Sequence, residues 1–147
     1  MHFIIKENNI NYFNFNLKVQ EIIAKDSRFA PEAYLFVGMA VTYTIQKLAG
    51  KNKRHITGKE LIDGIGDFAK QEYGPLAYEV LKGWGIENDK SIGQIVFNMI
   101  EHNLLSKTED DKIEDFDLGL TLKEILKINT SSQNISTKFK KEDILIE

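Results

Sequence analysis

The apolar positions of this chain recur mostly at helical spacing. Over 17–24, Val19, Ile22 and Ile23 stand three and four apart and predict a short helix. Pro31 opens the next one, since proline is favoured at the first helical position, where its missing N–H costs nothing. Tyr34, Val37, Ala40, Val41, Ile45 and Leu48 then form a single stripe. Phe36, Met39 and Tyr43 widen it until the helix is apolar nearly all round, the pattern of a central buried helix that Gly50 closes. A third helix starts at Thr57, where "TGKE" has capping-box spacing, and carries Leu61, Ile62, Ile65, Phe68, Ala69 and Tyr73. Gly64 and Gly66 inside it each cost about 1 kcal/mol relative to alanine. Glycines kept at that cost point to close approach of a neighbouring backbone.

The pattern breaks at Gly74 and restarts at Pro75, with Leu76, Ala77, Val80, Leu81 and Trp84 as its stripe and Gly83 or Gly85 as its end. Ser91 opens a further helix with a second capping-box sequence, "SIGQ". Its inward set is Ile92, Ile95, Val96, Met99 and Ile100. Lys90, Gly93, Gln94, Asn98, Glu101 and His102 are left to face outward. Leu104 and Leu105 lead into "SKTEDDKIEDFD", and Leu118, Leu122, Ile125 and Leu126 predict a last helix over 118–128. Residues 2–15 are Asn-rich and predict extended or irregular chain, with "HFII" as a short strand. Residues 129–138 have linker composition, and "DILIE" at the end reads as a second short strand that would pair with the first. The expected fold is therefore mainly α: five to six helices with a small β-hairpin near 104–117. A single helical domain covers 1–128, winged-helix-like over 57–117, and a polar tail covers 129–147.

A chain of 147 residues buries roughly 70% of the surface its unfolded form exposes, so a real core is possible without staples. The absence of cysteine excludes disulfides, thiolate zinc sites, iron–sulfur clusters and cysteine nucleophiles together. The N-terminus lacks the basic region and apolar run of a signal peptide, and no stretch approaches the length of a membrane span. A cytoplasmic setting is expected. The net charge of −3 lowers the prior for general nucleic-acid binding.

Several phrases occur together: "APEAYLFVGMAVTYT", "RHITGKELIDGI", "YGPLAYEVLKGWGI", "SIGQIVFNMIEHNLL" and "DDKIEDFDLG". In combination they resemble a bacterial family of uncharacterised conserved proteins of planctomycete and verrucomicrobial type. The shared marks fall on Arg54, His55, Gly58, Glu60 and Leu61, then on Gly74, Ala77, Leu81, Trp84 and Gly85, then on Asp111, Asp115 and Phe116. The resemblance spans roughly 15–126. It implies a grouping and brings no activity, ligand or cofactor with it.

Two charged poles stand out as candidate binding surfaces. A basic loop over 47–59 holds Lys47, Lys51, Lys53, Arg54 and Lys59, with His55 beside them, and ends at the capped start of a helix. Free N–H groups and the helix dipole make such a start attractive to anions. The acidic stretch is the place of a wing, and the candidates there are Asp110, Asp111, Glu114 and Asp115. Together Glu109, Asp110, Asp111, Glu114, Asp115 and Asp117 stand against Lys107 and Lys112, a local balance of −4 that repels a duplex. Its spacing does not fit a calcium-binding loop of EF-hand type. Arg54 is also placed to pair with Asp111 or Asp115. The chain has no nucleophile elbow, phosphate-binding loop or dinucleotide fingerprint, so no catalytic residue, metal ligand or cofactor is assigned. The expected function is a non-catalytic cytoplasmic binding or adaptor domain that recognises a protein partner. The alternative is a nucleic-acid- or ribosome-associated protein that uses the basic 47–59 loop.

Overall fold

The computed structural model describes residues 3–4, 12–48 and 55–128, and the protein is mainly α-helical, as the spacing predicts. Helix α1 (Tyr12–Lys25) is longer than its Val19–Ile22 stripe suggested and runs back through "YFNFN". The two asparagines there, Asn14 and Asn16, are exposed, whereas Phe15 is half-buried beside Gly38 of the next helix. Packing one ring per turn outweighs the weak helix propensity of asparagine. Helix α2 (Pro31–Lys47) follows, then α3 (Gly58–Tyr73). The capping box is formed: Glu60 N donates to Thr57 Oγ1 at 3.0 Å, and Thr57 N donates to Glu60 Oε1 at 2.9 Å. A 3-10 turn over Gly74–Leu76 carries the chain into α4 (Ala77–Gly83), and Gly85, at φ +98°, makes the left-handed exit. There Trp84 O accepts from Ala30 N at 3.0 Å, and a side chain on residue 85 would press on the Arg28 carbonyl.

Helix α5 (Asp89–Glu101) begins before Ser91. Asn88 is the cap, accepting from Ser91 N at 3.0 Å, and asparagine caps as well as serine does. The Ser91 hydroxyl instead accepts from Glu87 N at 3.1 Å. The last helix, α6 (Leu122–Ile125), is a single turn capped by Thr121 and Glu124, shorter than the 118–128 expected. The reason lies upstream: the backbone of 118–122 is engaged with 87–89. Asp89 N donates to Leu120 O at 3.1 Å, Leu122 N to Glu87 O at 3.0 Å, and Leu118 N to the Asp89 carboxylate at 2.5 Å. Asp89 is 1% exposed, so this buried carboxylate fastens the C-terminal segment to the start of α5.

Among the described residues the β component is three two-residue strands in the order β2–β1–β3: β1 (Phe3–Ile4), β2 (His55–Ile56) and β3 (Ser106–Lys107). Both pairings are antiparallel, Phe3 opposite Ile56 and Lys107, Ile4 opposite His55 and Ser106. Of "HFII", Phe3–Ile4 form a strand, and the partner expected for it at 143–147 lies outside the described residues. In 104–117 the strand part is β3. The chain then turns at 109–110 and returns as a 3-10 turn, Ile113–Phe116, rather than as a second strand.

The core lies between α2, α3 and α5, with Tyr34, Val37, Leu61, Ile65, Ile92, Ile95 and Phe116 fully buried. Both internal glycines of α3 meet a close neighbour. A Cβ on Gly64 would collide with the Thr44 side chain of α2, and a Cβ on Gly66 with the backbone carbonyl of Ile125. A polar network locks the α1–α2 joint onto α5. Arg28 donates from Nε at 2.8 Å and from its terminal nitrogen to Asp26. Asn98 donates to Asp26 at 3.0 Å and to the buried Tyr34 hydroxyl at 3.1 Å. The charged hydrogen bonds from Arg28 hold the Asp26 carboxyl well below the usual carboxylate range, while burial raises the Tyr34 phenol.

Gly66→Ala is expected to destabilise the fold by about 1–3 kcal/mol, because the neighbour is backbone and cannot rotate away. Gly83→Ala, which meets open space, should leave the urea midpoint at or slightly above wild type. Because the folded-state pKa of Asp26 lies below its unfolded value of about 3.9, its contribution is fully present above that value and is lost as pH falls through the folded one. Urea titrations from pH 7 to pH 2 should therefore show Asp26→Asn clearly less stable than wild type at neutral pH. The gap should begin to narrow below about pH 4 and keep narrowing down to pH 2.

Candidate functional site

Of the basic pole read from the sequence, Lys47, His55 and Lys59 fall within the described residues. Lys51, Lys53 and Arg54 lie outside the described residues, and so does any pairing of Arg54 with Asp111 or Asp115. His55 sits half-buried in β2. The flanking lysines are engaged with α3. Lys47 Nζ lies 2.7 Å from the Asp67 carboxylate, and Lys59 Nζ lies 3.5 Å from Asp63. Each pair lies at an exposed surface, where solvent screens the attraction. Hydrogen bonding to Asp67 raises the Lys47 ammonium pKa and lowers that of Asp67.

The acidic stretch divides into structural and exposed carboxylates. Asp111 is 3% exposed and accepts from Thr108 N at 2.8 Å, while Asp111 N donates back to Thr108 O at 3.1 Å. This closes the turn after β3. Asp115 accepts from Lys112 N at 3.1 Å and starts the 3-10 turn. Asp110 and Glu114 face solvent. Phe116 is buried against α5, its Cβ close to where a Cβ on Gly93 would stand. Hence Gly93 and Asn98, expected to face outward, are occupied by Phe116 and by the Asp26–Tyr34 network. Lys90 and Gln94 remain at the surface and line a depression of about 180 Å³ with Ile113, Glu114 and Asp117; Lys90 lies 3.7 Å from Asp117.

A second depression, of about 110 Å³, lies where α2, the end of α3 and the exit of α4 meet. Its wall is aromatic. Phe36 stands 5.4 Å from Phe68, 6.1 Å from Tyr73 and 5.5 Å from Trp84, and Tyr73 meets Trp84 edge to face at 5.8 Å. Leu35 and Met39 form the rim, 36% and 44% exposed, with the carboxylates Glu32 and Glu72 beside them. Among the described residues that line it, none is basic. The spacing places Trp84 on the apolar stripe of its helix and Met39 inside a buried helix. The structure leaves Trp84 half-buried and Met39 at the surface. The signal for this site was the surplus itself: α2 carries more apolar residues than one buried face can take up.

Among the described residues no three histidine or acidic side chains gather where they could hold a metal ion, and no helix is long and apolar enough to cross a membrane. No family model, curated protein or solved structure matches the chain.

Asp111→Ala should cost about 1–3 kcal/mol, since it strips a buried turn of its acceptor. Asp110→Ala and Glu114→Ala should stay within about 0.5 kcal/mol of wild type. Thermal melts of the three variants side by side check the division.

Proposed function

We propose that the protein is a non-catalytic binding module that recognises a protein partner through the aromatic groove between α2, α3 and α4. The observation that carries this reading is the exposed pair Leu35 and Met39 beside a half-buried tryptophan. Large apolar side chains rimmed by polar ones mark contact surfaces, and aromatic residues and methionine are enriched in such surfaces. The cavity volume favours a macromolecule over a metabolite. Small-molecule sites run to about 300–1,000 Å³, and one of about 110 Å³ accommodates a single side chain of a partner. A cytoplasmic setting belongs to the proposal and rests on the cysteine-free composition. So does grouping with the bacterial family that the sequence resembles.

The winged-helix likeness of 57–117 is part of the same reading. Helices α3, α4 and α5 follow one another and are succeeded by β3 and the acidic turn. With α5 packed under Phe116, that order suits protein packing better than insertion into a DNA groove.

The test is a tagged pull-down from native-host lysate with and without nuclease, wild type beside a Leu35→Asp/Met39→Asp variant. Both substitutions lie at exposed positions, and an unchanged circular-dichroism melt confirms the fold. A defined protein partner should survive nuclease and bind the variant at least about tenfold more weakly, as expected for anchor residues. Material that disappears with nuclease, or a partner that binds the variant as well as wild type, would remove the groove from the account.

A further inference from the structure

We infer that the groove takes a basic side chain, lysine or arginine, presented on an apolar segment of the partner polypeptide. This rests on the groove being the contact surface and adds the chemistry of its occupant. Two independent features converge on a cation. The first is the wall: Trp84 and Tyr73, both half-buried, meet edge to face at 5.8 Å with the buried Phe36 behind them, and aromatic faces attract ammonium and guanidinium groups, tryptophan most strongly. The second is the rim, where Glu32 and Glu72 are both exposed and lie on different helices, α2 and α3. A cation seated on the wall therefore has a carboxylate on each helix and no like charge among the described lining residues. Leu35 and Met39, one turn apart on α2, offer exposed apolar surface beside it. Methionine adapts its shape to apolar neighbours at little cost.

The same surface disfavours other occupants. An acidic or phosphorylated segment meets two carboxylates and no base. A purely aliphatic segment leaves both glutamates beside apolar atoms with no partner gained.

Trp84 is the one tryptophan in the chain and stands in the groove wall, so its fluorescence reports occupancy directly. The probe is a synthetic amphipathic peptide with leucines along one face and two arginines beside them. Its control replaces both arginines with glutamine. The arginine peptide should give a saturable change in Trp84 emission, with the glutamine peptide about tenfold weaker, equivalent to roughly 1.4 kcal/mol. Glu32→Gln/Glu72→Gln keeps the shape of the rim and should bring the two affinities together. High salt should do the same, because exposed charge pairs are screened. Equal binding of both peptides by the wild type would overturn the basic occupant and leave the groove as a contact surface. No response of Trp84 to either peptide, with the fold intact, would overturn both.

Discussion

Helix α3 is held on two sides at distances that only glycine allows. On one side the Thr44 side chain of α2 fills the place where a Cβ on Gly64 would stand. On the other, the Ile125 carbonyl at the end of α6 fills the place above Gly66. Thr44 tolerates this burial because its hydroxyl donates to Ala40 O at 2.7 Å within its own helix. Close approach of α2 and α3 brings Phe36 to Phe68 and, at the far end of α3, to Tyr73. The aromatic wall of the groove is thus a product of the same contact that builds the core. Each glycine gives up helix stability, and tighter packing across both interfaces offsets it.

A second economy runs through the acidic residues. The chain is rich in carboxylates near its C-terminal third, yet several of them act on the backbone. Asp89 receives Leu118 N, Asp111 receives Thr108 N, and Asp115 receives Lys112 N. In each case a short irregular segment has N–H groups that no helix or strand satisfies, and a carboxylate supplies the acceptor. The apparent charge of the wing overstates what a partner would meet, which is mainly Glu109, Asp110, Glu114 and Asp117. The basic side is tempered likewise, with Lys47 and Lys59 drawn towards Asp67 and Asp63.

Large apolar side chains stay exposed on several elements, Phe13 and Leu17 on α1 and Leu76 before α4 among them, and on α2 they stand beside an aromatic wall. Helix α2 turns Ala33, Val37, Ala40 and Val41 into the core and still has Leu35 and Met39 left at the surface. A surplus of this kind adds nothing to the stability of the isolated chain, and its place beside an aromatic wall with carboxylates on the rim supports the recognition role proposed above.

The local elements were largely legible in the chain. Spacing placed α2, α3 and the α5 stripe, the Thr57–Glu60 box placed the start of α3, and the internal glycines announced close neighbours. These features depend on residues within one or two turns of each other, so the sequence by itself determined them. What only the tertiary structure decided involves partners far apart in the chain. The long α1 depends on Phe15 finding Gly38. The shortening of α6 depends on the backbone of 118–122 bonding to 87–89. Asp111 becomes a buried acceptor through the turn that follows β3, and the partners of Phe3–Ile4 are strands some fifty and a hundred residues away. The groove belongs to this second kind. Its residues come from α2, α3 and the α4 exit, and no periodicity within one helix records which of its apolar side chains a distant helix will leave uncovered.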